Sequence, residues 1–377
     1  MNKPRLLLLS GDYSLDRGGI QNTSYLFASY FRDYFHVNAF TSKKGNEPDL
    51  PNVFSLKNKY SRLNPLGVLF FYKRAVELKK TQGLDYILAV HFSHALPCVF
   101  LKWFHKIPFG TLAHGEEVVK WPHKSFLTDI VWYIIYCPLR WLILRNASDI
   151  FANTHFTKGL VEKITSNKKI TIINPPIGTM PSEDEVYINK SPLMLSVGRL
   201  EDRKGYQHVI KAVKEIGQRL PNLKYYIAGS GAYKSELEKL VKELEVGGQV
   251  KILGRIAEEE KCRLLKECGL FVMPSCKIKG KSSVEGFGLS LLEANSYGRF
   301  VISTVSGGIP EAVRDGETGF LIEENSVEQL VDAILKFYRP DFCYSVNACR
   351  AWAEQRYITI ITNQYYEQIK KTIKVEI

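Results

Sequence analysis

The chain has 377 residues, 45% of them hydrophobic and 24% charged, with 51 Lys and Arg against 39 Asp and Glu for a net charge of +12. That length exceeds one typical core and predicts two domains, and the composition is ordinary for a soluble globular protein. The charge is one-sided. Residues 1–180 hold 23 Lys and Arg against 12 Asp and Glu, a balance of +11, which leaves +1 for the rest. A basic half points to an anionic partner such as a membrane, a lipid phosphate or a nucleic acid, or else to a lysine-rich solubilising surface.

The run from Arg5 to Ser10 reads as a short buried parallel strand. A glycine-punctuated loop, Gly11 to Gly19, leads into a helix beginning near Ile20. Strand, Gly-Gly loop and helix start form a corner suited to phosphate, without the G-x-G-x-x-G order of a dinucleotide fold. Strand-like and helix-like segments then alternate. His36–Thr41 reads as a strand, 66–80 as a helix, and 86–90 and Phe109–Ala113 as strands, which is an α/β signature. His114 follows the last of these, at the end of a strand where open α/β sheets bind ligands; a locally bonded loop histidine fits the same position. Phe126 to Arg145 reads as one long aromatic helix, buried in the core or facing a membrane. Another strand lies at 150–152. No run is long enough for a membrane span, and no signal-peptide pattern opens the chain.

Ile170 to Asn174 meets Pro175-Pro176, and the domain boundary is expected there, giving 1–176 and 177–356. A second α/β series follows. Its strands are expected at 193–197, 223–228, 250–253, 270–273, 300–303 and 319–322. Its helices are expected at 206–219, 233–244, 258–268, 289–297 and 327–338. The last segment, 357–377, is helix-like and is expected to cross back to the first domain.

The chemistry gathers in loops at strand ends. Arg199 and Lys204 bracket the turn after 193–197 and lead into a helix, an arrangement that suits phosphate. Gly229-Ser230-Gly231, Gly254-Arg255-Ile256 and Ser306-Gly307-Gly308-Ile309-Pro310-Glu311 follow further strands. Glu285-Gly286-Phe287-Gly288-Leu289 enters a helix that also carries Glu293, so two carboxylates flank a loop of accessible amides. Gly280-Lys281-Ser282 mimics the end of a P-loop, but position 275 is serine and the motif fails. No Asp-x-Asp, His-x-x-x-His or G-x-S-x-G is present, so neither a metal site nor a serine nucleophile is signalled. The seven scattered cysteines have no CxxC or zinc spacing and read as reduced thiols.

Gly18-Gly19-Ile20-Gln21, His114-Gly115-Glu116-Glu117, Gly198-Arg199 with Lys204-Gly205, Glu285 through Glu293, and Ser306 through Glu311 together resemble glycosyltransferase family 4. These are the retaining nucleotide-sugar enzymes of GT-B fold. The resemblance covers most of the chain and is strongest from 193 to 322. Within the family, the sequence is most similar to bacterial phosphatidylinositol-mannoside mannosyltransferases and to polysaccharide and lipopolysaccharide glycosyltransferases.

That resemblance implies an α/β protein of two Rossmann-like, doubly wound domains facing a central cleft, with the acceptor in the first and the nucleotide sugar in the second. It implies that Arg199 and Lys204 bind the donor diphosphate with the backbone of Gly18 and Gly19 closing over it. Glu285 would bind hydroxyls of the transferred sugar, helped by the amides of Phe287, Gly288 and Leu289. Glu293 would bind the ribose, and the loops at Gly229 and at Arg255-Ile256 would meet the nucleotide. His114 would lie beside the sugar, making His114, Glu285, Arg199 and Lys204 the candidate catalytic set.

No cofactor and no divalent metal are expected; GDP-mannose or a UDP-hexose is the expected donor. The expected partners are a lipid-linked saccharide or glycolipid acceptor and an anionic membrane surface, without nucleic acid. The expected location is cytoplasmic and peripheral on the inner face of the membrane. The Lys277-Ile278-Lys279-Gly280-Lys281 loop departs from the family pattern by adding three lysines before Glu285. The competing readings are a non-catalytic nucleotide-sugar or nucleic-acid binding protein and, against the missing G-x-G-x-x-G, an oxidoreductase.

Overall fold

The computed structural model describes residues 3–11, 19–41, 53–55, 65–91, 94–115, 132–166, 169–278 and 284–376. The chain divides into two compact units, Met1–Pro176 with Ile358–Ile377, and Ile177–Tyr357.

In the first unit the strands are β1 (Arg5–Ser10), β2 (His36–Thr41), β3 (Val53–Ser55), β4 (Tyr86–Ala89), β5 (Phe109–Ala113), β6 (Asp149–Ala152) and β7 (Ile170–Ile172). The helices are α1 (Gly19–Tyr30), α2 (Pro65–Thr81), α3 (Leu96–His105), α4 (Cys137–Asn146), α5 (His155–Glu162) and, from the end of the chain, α12 (Ile358–Glu376). The described strands form one sheet in the order β3-β2-β1-β4-β5-β6-β7, and every pairing is parallel. Leu6 to Leu9 of β1 are all buried, as an apolar run covered on both sheet faces requires.

The closing helix α12 belongs to this unit through specific contacts. The Tyr365 ring packs on Phe151 at 4.6 Å and on Phe27 at 4.9 Å. Buried Asp149 accepts hydrogen bonds from Gln368 and Thr372 through Oδ1, each at 3.0 Å, and from the Tyr86 hydroxyl through Oδ2 at 2.7 Å. Three donors satisfy a carboxylate whose burial would otherwise be costly.

The long aromatic helix expected at 126–145 is helical wherever it is described. Its first part, 126–131, lies outside the described residues; Trp132–Tyr136 is a π-helical turn that runs without a break into α4, with Tyr136 itself in right-handed helical geometry. Pro138 has no N–H to give to an upstream carbonyl, and the hydrogen bonding changes from the π to the α pattern beside it. The short helices α3 and α5 and the strand β3 were not anticipated from the sequence pattern.

In the second unit the strands are β8 (Leu193–Val197), β9 (Lys224–Ala228), β10 (Val250–Gly254), β11 (Leu270–Val272), β12 (Phe300–Thr304) and β13 (Gly319–Ile322). The helices are α6 (Tyr206–Ile216), α7 (Lys234–Glu243), α8 (Glu258–Glu267), α9 (Leu289–Ser296), α10 (Val327–Tyr338) and α11 (Val346–Glu354). The parallel sheet runs β10-β9-β8-β11-β12-β13. Alternate residues feed opposite cores: Met194, Leu270, Val272, Phe300 and Ile302 join one buried cluster, while Leu195, Phe271 and Val301 join another. Period-two alternation with both faces apolar is how a doubly wound sheet reads. The strand order reverses between β8 and β11, which makes the loops leaving those two strands the walls of the switch-point crevice.

Candidate functional site

The loop after β8 and the loop after β11 are tied at the backbone. The Cys276 N–H donates to the Arg203 carbonyl at 2.8 Å. Gly205 takes φ +77°, and a Cβ there would lie 2.0 Å from the Pro274 carbonyl oxygen, so only glycine lets the two loops approach this closely. The turn before Gly205 is a short 3-10 helix, Asp202–Lys204, which aims two successive cations at the facing loop.

Both cations meet Glu285. Lys204 Nζ lies 2.6 Å and Arg203 Nη1 2.7 Å from Glu285 Oε2. Arg203 Nε also reaches Glu201 Oε2 at 2.9 Å, and Arg199 Nη1 reaches Glu201 Oε1 at 2.8 Å. The result is a row of alternating charge, Arg199–Glu201–Arg203–Glu285–Lys204, with one more cation than anion. Its inner members are enclosed, with Arg203 7%, Lys204 11% and Glu285 14% exposed; Arg199 at the outer end is 56% exposed. Burial opposes the charge of Glu285, but Lys204 and Arg203 outweigh it and hold its pKa down at about 2.

The main chain around Glu285 is gripped from the loop after β12. The Glu285 carbonyl accepts the Gly308 N–H at 3.0 Å. Gly307 takes φ +56°, where a Cβ would sit 2.3 Å from that same carbonyl oxygen. The neighbouring Ser306 hydroxyl, and that of Ser275 in the loop after β11, are buried without a hydrogen-bond partner among the described residues. Gly288 is the N-cap of α9, and Leu289 is its first residue, so the opening amides of α9 follow Glu285 by a few residues. The Phe287 side chain points into the core and is 3% exposed, which leaves its backbone as the part available to a ligand.

Glu293 lies on α9 and faces Lys261 of α8, 3.4 Å away, while Lys261 also holds Glu258 at 2.7 Å. Burial works against the Lys261 charge, and the two carboxylates outweigh it and push its pKa up. The Gly229 N–H donates to the Gly254 carbonyl at 2.7 Å, which joins the loops after β9 and β10. Arg255 is exposed and Ile256 is half-buried against the core.

The structure thus brings Arg199, Lys204 and Glu285 into one charge row in the second unit. Gly229, Arg255, Ile256, Phe287, Gly288, Leu289 and Glu293 occupy the same unit at strand ends and on α9. His114 and Gly19 belong to the first unit. His114 Nε2 donates to the Val90 carbonyl at 2.7 Å, its ring stacks on His91 at 6.3 Å, and its carbonyl accepts from Asn153 Nδ2 at 3.1 Å. Gly19 opens α1. Gly18, Glu116, Glu117 and 279–281 lie outside the described residues. Sequence reading missed Arg203 and Lys261. Arg203 stood beside a recognised lysine, but adjacent residues rarely share a target unless a tight turn redirects them, and the 3-10 turn supplies that redirection. Lys261 carried no local signal, because its partner Glu293 is on another helix.

A family profile described as glycosyl transferases group 1 matches residues 182–357, the part that contains the charge row. A GDP-mannose-dependent α-(1-6)-phosphatidylinositol monomannoside mannosyltransferase of Mycolicibacterium smegmatis is 33% identical over 348 residues, covering 87% of this chain and 88% of the relative. A GDP-mannose-dependent monoacylated α-(1-6)-phosphatidylinositol monomannoside mannosyltransferase of Corynebacterium glutamicum is 31% identical over 169 residues. That match covers 45% of this chain and 44% of the relative's length. Among solved structures, Anabaena Alr3699/HepE in complex with UDP and glucose superposes with a TM-score of 0.76 at 20% identity. It covers 98% of this chain and 100% of that one, a likeness of fold. With two doubly wound units, a switch-point charge row inside the profile match and a third of its residues shared with a relative across most of both lengths, the chain belongs to the group 1 glycosyl transferases, glycosyltransferase family 4 of GT-B fold.

Proposed function

We propose that this glycosyltransferase moves a hexose, with retention, from a nucleotide sugar to a lipid-linked or glycan acceptor in surface glycolipid or polysaccharide synthesis. The observation that carries this reading is the buried meeting of Lys204 and Arg203 with Glu285 beside exposed Arg199. A net-cationic row at a switch point suits a diphosphate leaving group, and a carboxylate within it suits the hydroxyls of a sugar. Arg199 and Lys204 are assigned to the diphosphate and Glu285 to the transferred sugar, with the amides of Phe287, Gly288 and Leu289. Glu293 is assigned to the ribose, and Gly229, Arg255 and Ile256 to the nucleotide end. Gly18, Gly19 and His114 are assigned to the substrates by motif, and the acceptor to the first unit.

The ionic state of Glu285 decides its role. A carboxylate with a pKa of about 2 is a poor proton shuttle at neutral pH, because it stays ionised on both sides of the reaction. Glu285 therefore positions and does not titrate. The departing diphosphate oxygen takes the acceptor's proton on the face it leaves, and the cations Arg199, Arg203 and Lys204 offset the charge that develops there. Those three cations make a divalent metal unnecessary.

An anionic membrane is the proposed docking partner. In the first unit α2, α3 and the turn before α4 expose Phe70, Trp103, Phe104, Ile134 and Ile135, large apolar groups on helices that neighbour one another. They lie in the half of the chain that carries the +11 balance. GDP-mannose fits the Mycolicibacterium smegmatis relative, which matches over 348 residues, while UDP-hexoses suit the same chemistry. The test is a thermal-shift series with GDP-mannose, UDP-glucose and UDP-galactose, followed by transfer assays with the stabilising donor. One donor is expected to raise Tm progressively with concentration. Failure of every nucleotide sugar to shift Tm overturns the donor assignment.

A further inference from the structure

The first unit has a cavity at the amino edge of its sheet, away from the strand ends that carry His114. Its volume is about 680 Å3, and Lys3, Arg5, Arg32, His36, Asn38 and Gln82 are among the residues that line it. Four of these six are basic side chains, and no described carboxylate lines the cavity.

The fold creates this convergence from separate segments. Arg5 and His36 open β1 and β2 and stand opposite each other in the parallel register. Arg32 comes from the 3-10 turn Phe31–Asp33 between α1 and β2. Lys3 is held in place where its ammonium donates to the Arg32 carbonyl at 2.7 Å. Gly83, just past α2, makes room for the Arg5 guanidinium, since a Cβ there would lie 2.6 Å from Nη1. Buried Phe35 and Val37 line it as well.

Two features bear on an anion site from the outside. Asp85 Oδ2 accepts the main-chain N–H of Arg5 at 2.7 Å and keeps its charge there, but Asp85 does not line the cavity. At the end of α2 the Leu78 carbonyl accepts from both Gln82 and Gly83, which caps the negative pole of that helix.

We propose that this cavity is a binding site for a phosphate-bearing anion, separate from the donor chemistry of the second unit. Guanidinium and ammonium groups recognise phosphate oxygens through charge-assisted hydrogen bonds, and the Asn38 and Gln82 amides add neutral donors. A volume of about 680 Å3 exceeds what inorganic phosphate fills and falls in the range of small-molecule sites. The ligand is therefore a phosphorylated small molecule or the phosphate headgroup of a lipid. None of the residues named for glycosyl transfer lines the cavity, so the site stands whether or not that reading does.

The experiment uses the full chain and an Arg5→Gln, Arg32→Gln variant, with two probes. Calorimetric titration with glycerol 3-phosphate reads a free ligand. Co-sedimentation with phosphatidylglycerol vesicles against phosphatidylcholine vesicles reads a headgroup. The expected result is saturable wild-type binding of glycerol 3-phosphate, or phosphatidylglycerol binding beyond the share carried by Phe104 and Ile134, weakened at least tenfold in the variant and weakened by added salt, with the nucleotide-sugar thermal shift unchanged. Saturation by glycerol 3-phosphate assigns a soluble ligand; variant-sensitive binding to phosphatidylglycerol alone assigns a lipid. Arg32→Gln by itself replaces the double variant if the latter does not fold. Wild-type protein that binds neither probe, or binds with equal affinity when both arginines are replaced, overturns the site.

Discussion

Lys204 Nζ stands 2.6 Å from Glu285 Oε2, in a setting that leaves little of either side chain in solvent. Removing one partner of such a pair strands the other charge, at a cost of about 3–5 kcal/mol. Glu285→Gln is expected to lower unfolding free energy by about 3 kcal/mol in chemical denaturation. It is also expected to slow transfer by about 10²-fold or more, in the range set by loss of one organising group at a transition state. Adding Lys204→Met to that variant should recover part of the stability and none of the activity. Independent, additive losses in this double-mutant cycle would show that the two groups are not coupled.

The same pair sets a pH signature. The folded-state pKa of Glu285 is about 2, below its ordinary value of 4.5. A depressed carboxylate contributes stability that is fully present above the unfolded pKa and is lost as pH falls through the folded one. The stability difference between wild type and Glu285→Gln should hold steady above pH ~5 and shrink between pH ~4.5 and ~2, by up to about 1.4 kcal/mol per unit. Urea titrations across that range measure it. A difference that grows on acidification would contradict the ion pairing.

Much of this site was legible before any coordinates. Strands β8, β9 and β10 announced themselves as apolar runs ending in glycine, and the loops at Arg199, Gly229 and Ser306 fell at strand ends, as the sheet places them. Pairings between distant segments were not legible. Nothing local says that Glu285 meets Lys204, because the contact depends on β8 and β11 being neighbours in the sheet. Of the helix expected at 126–145, residues 132–145 are helical, but apolar periodicity gave no sign of the π-helical turn that precedes Pro138. Arg203 was passed over because its direction depends on a 3-10 turn of three residues.

Arg203 bridges two carboxylates, Glu201 through Nε and Glu285 through Nη1. A lysine ammonium can meet two carboxylates, as Lys261 does, but it lacks the planar fork that reaches Glu201 from Nε and Glu285 from Nη1 in this geometry. Arg203→Lys should therefore behave nearly like Arg203→Met, losing about 1.5–3 kcal/mol of charge-assisted bonding and raising the KM for the donor. Thermal unfolding and initial-rate kinetics of the two variants decide this. Wild-type kinetics in Arg203→Lys would reduce Arg203 to a generic cation.

Gly307 offers a test that changes no charge. At φ +56° an alanine Cβ would press on the Glu285 carbonyl oxygen from 2.3 Å, so the Glu285 backbone has to move. Gly307→Ala is expected to cost about 1–3 kcal/mol in strain and to reduce transfer as severely as Glu285→Gln. Gly248→Ala is the control, because a Cβ there meets nothing within 4 Å. Equal activity in the two alanine variants would mean that the position of Glu285 does not limit the reaction.

The apolar face of the first unit makes the last prediction. Phe104 is 70% and Ile134 69% exposed, so neither contributes much to the core. Replacing each by serine should change folding stability by no more than about 0.5 kcal/mol, as surface substitutions do. Burial of a Phe or Ile side chain in an apolar phase is worth about 1.5–3 kcal/mol. Phe104→Ser with Ile134→Ser should therefore weaken partition onto phosphatidylglycerol vesicles by tenfold or more. Lower salt should strengthen wild-type and variant binding alike, since the basic residues of this half remain. Transfer to a water-soluble acceptor should be unchanged, while transfer to an acceptor in vesicles should fall with the partition. Undiminished vesicle binding by the double variant would rule out this face as the membrane contact.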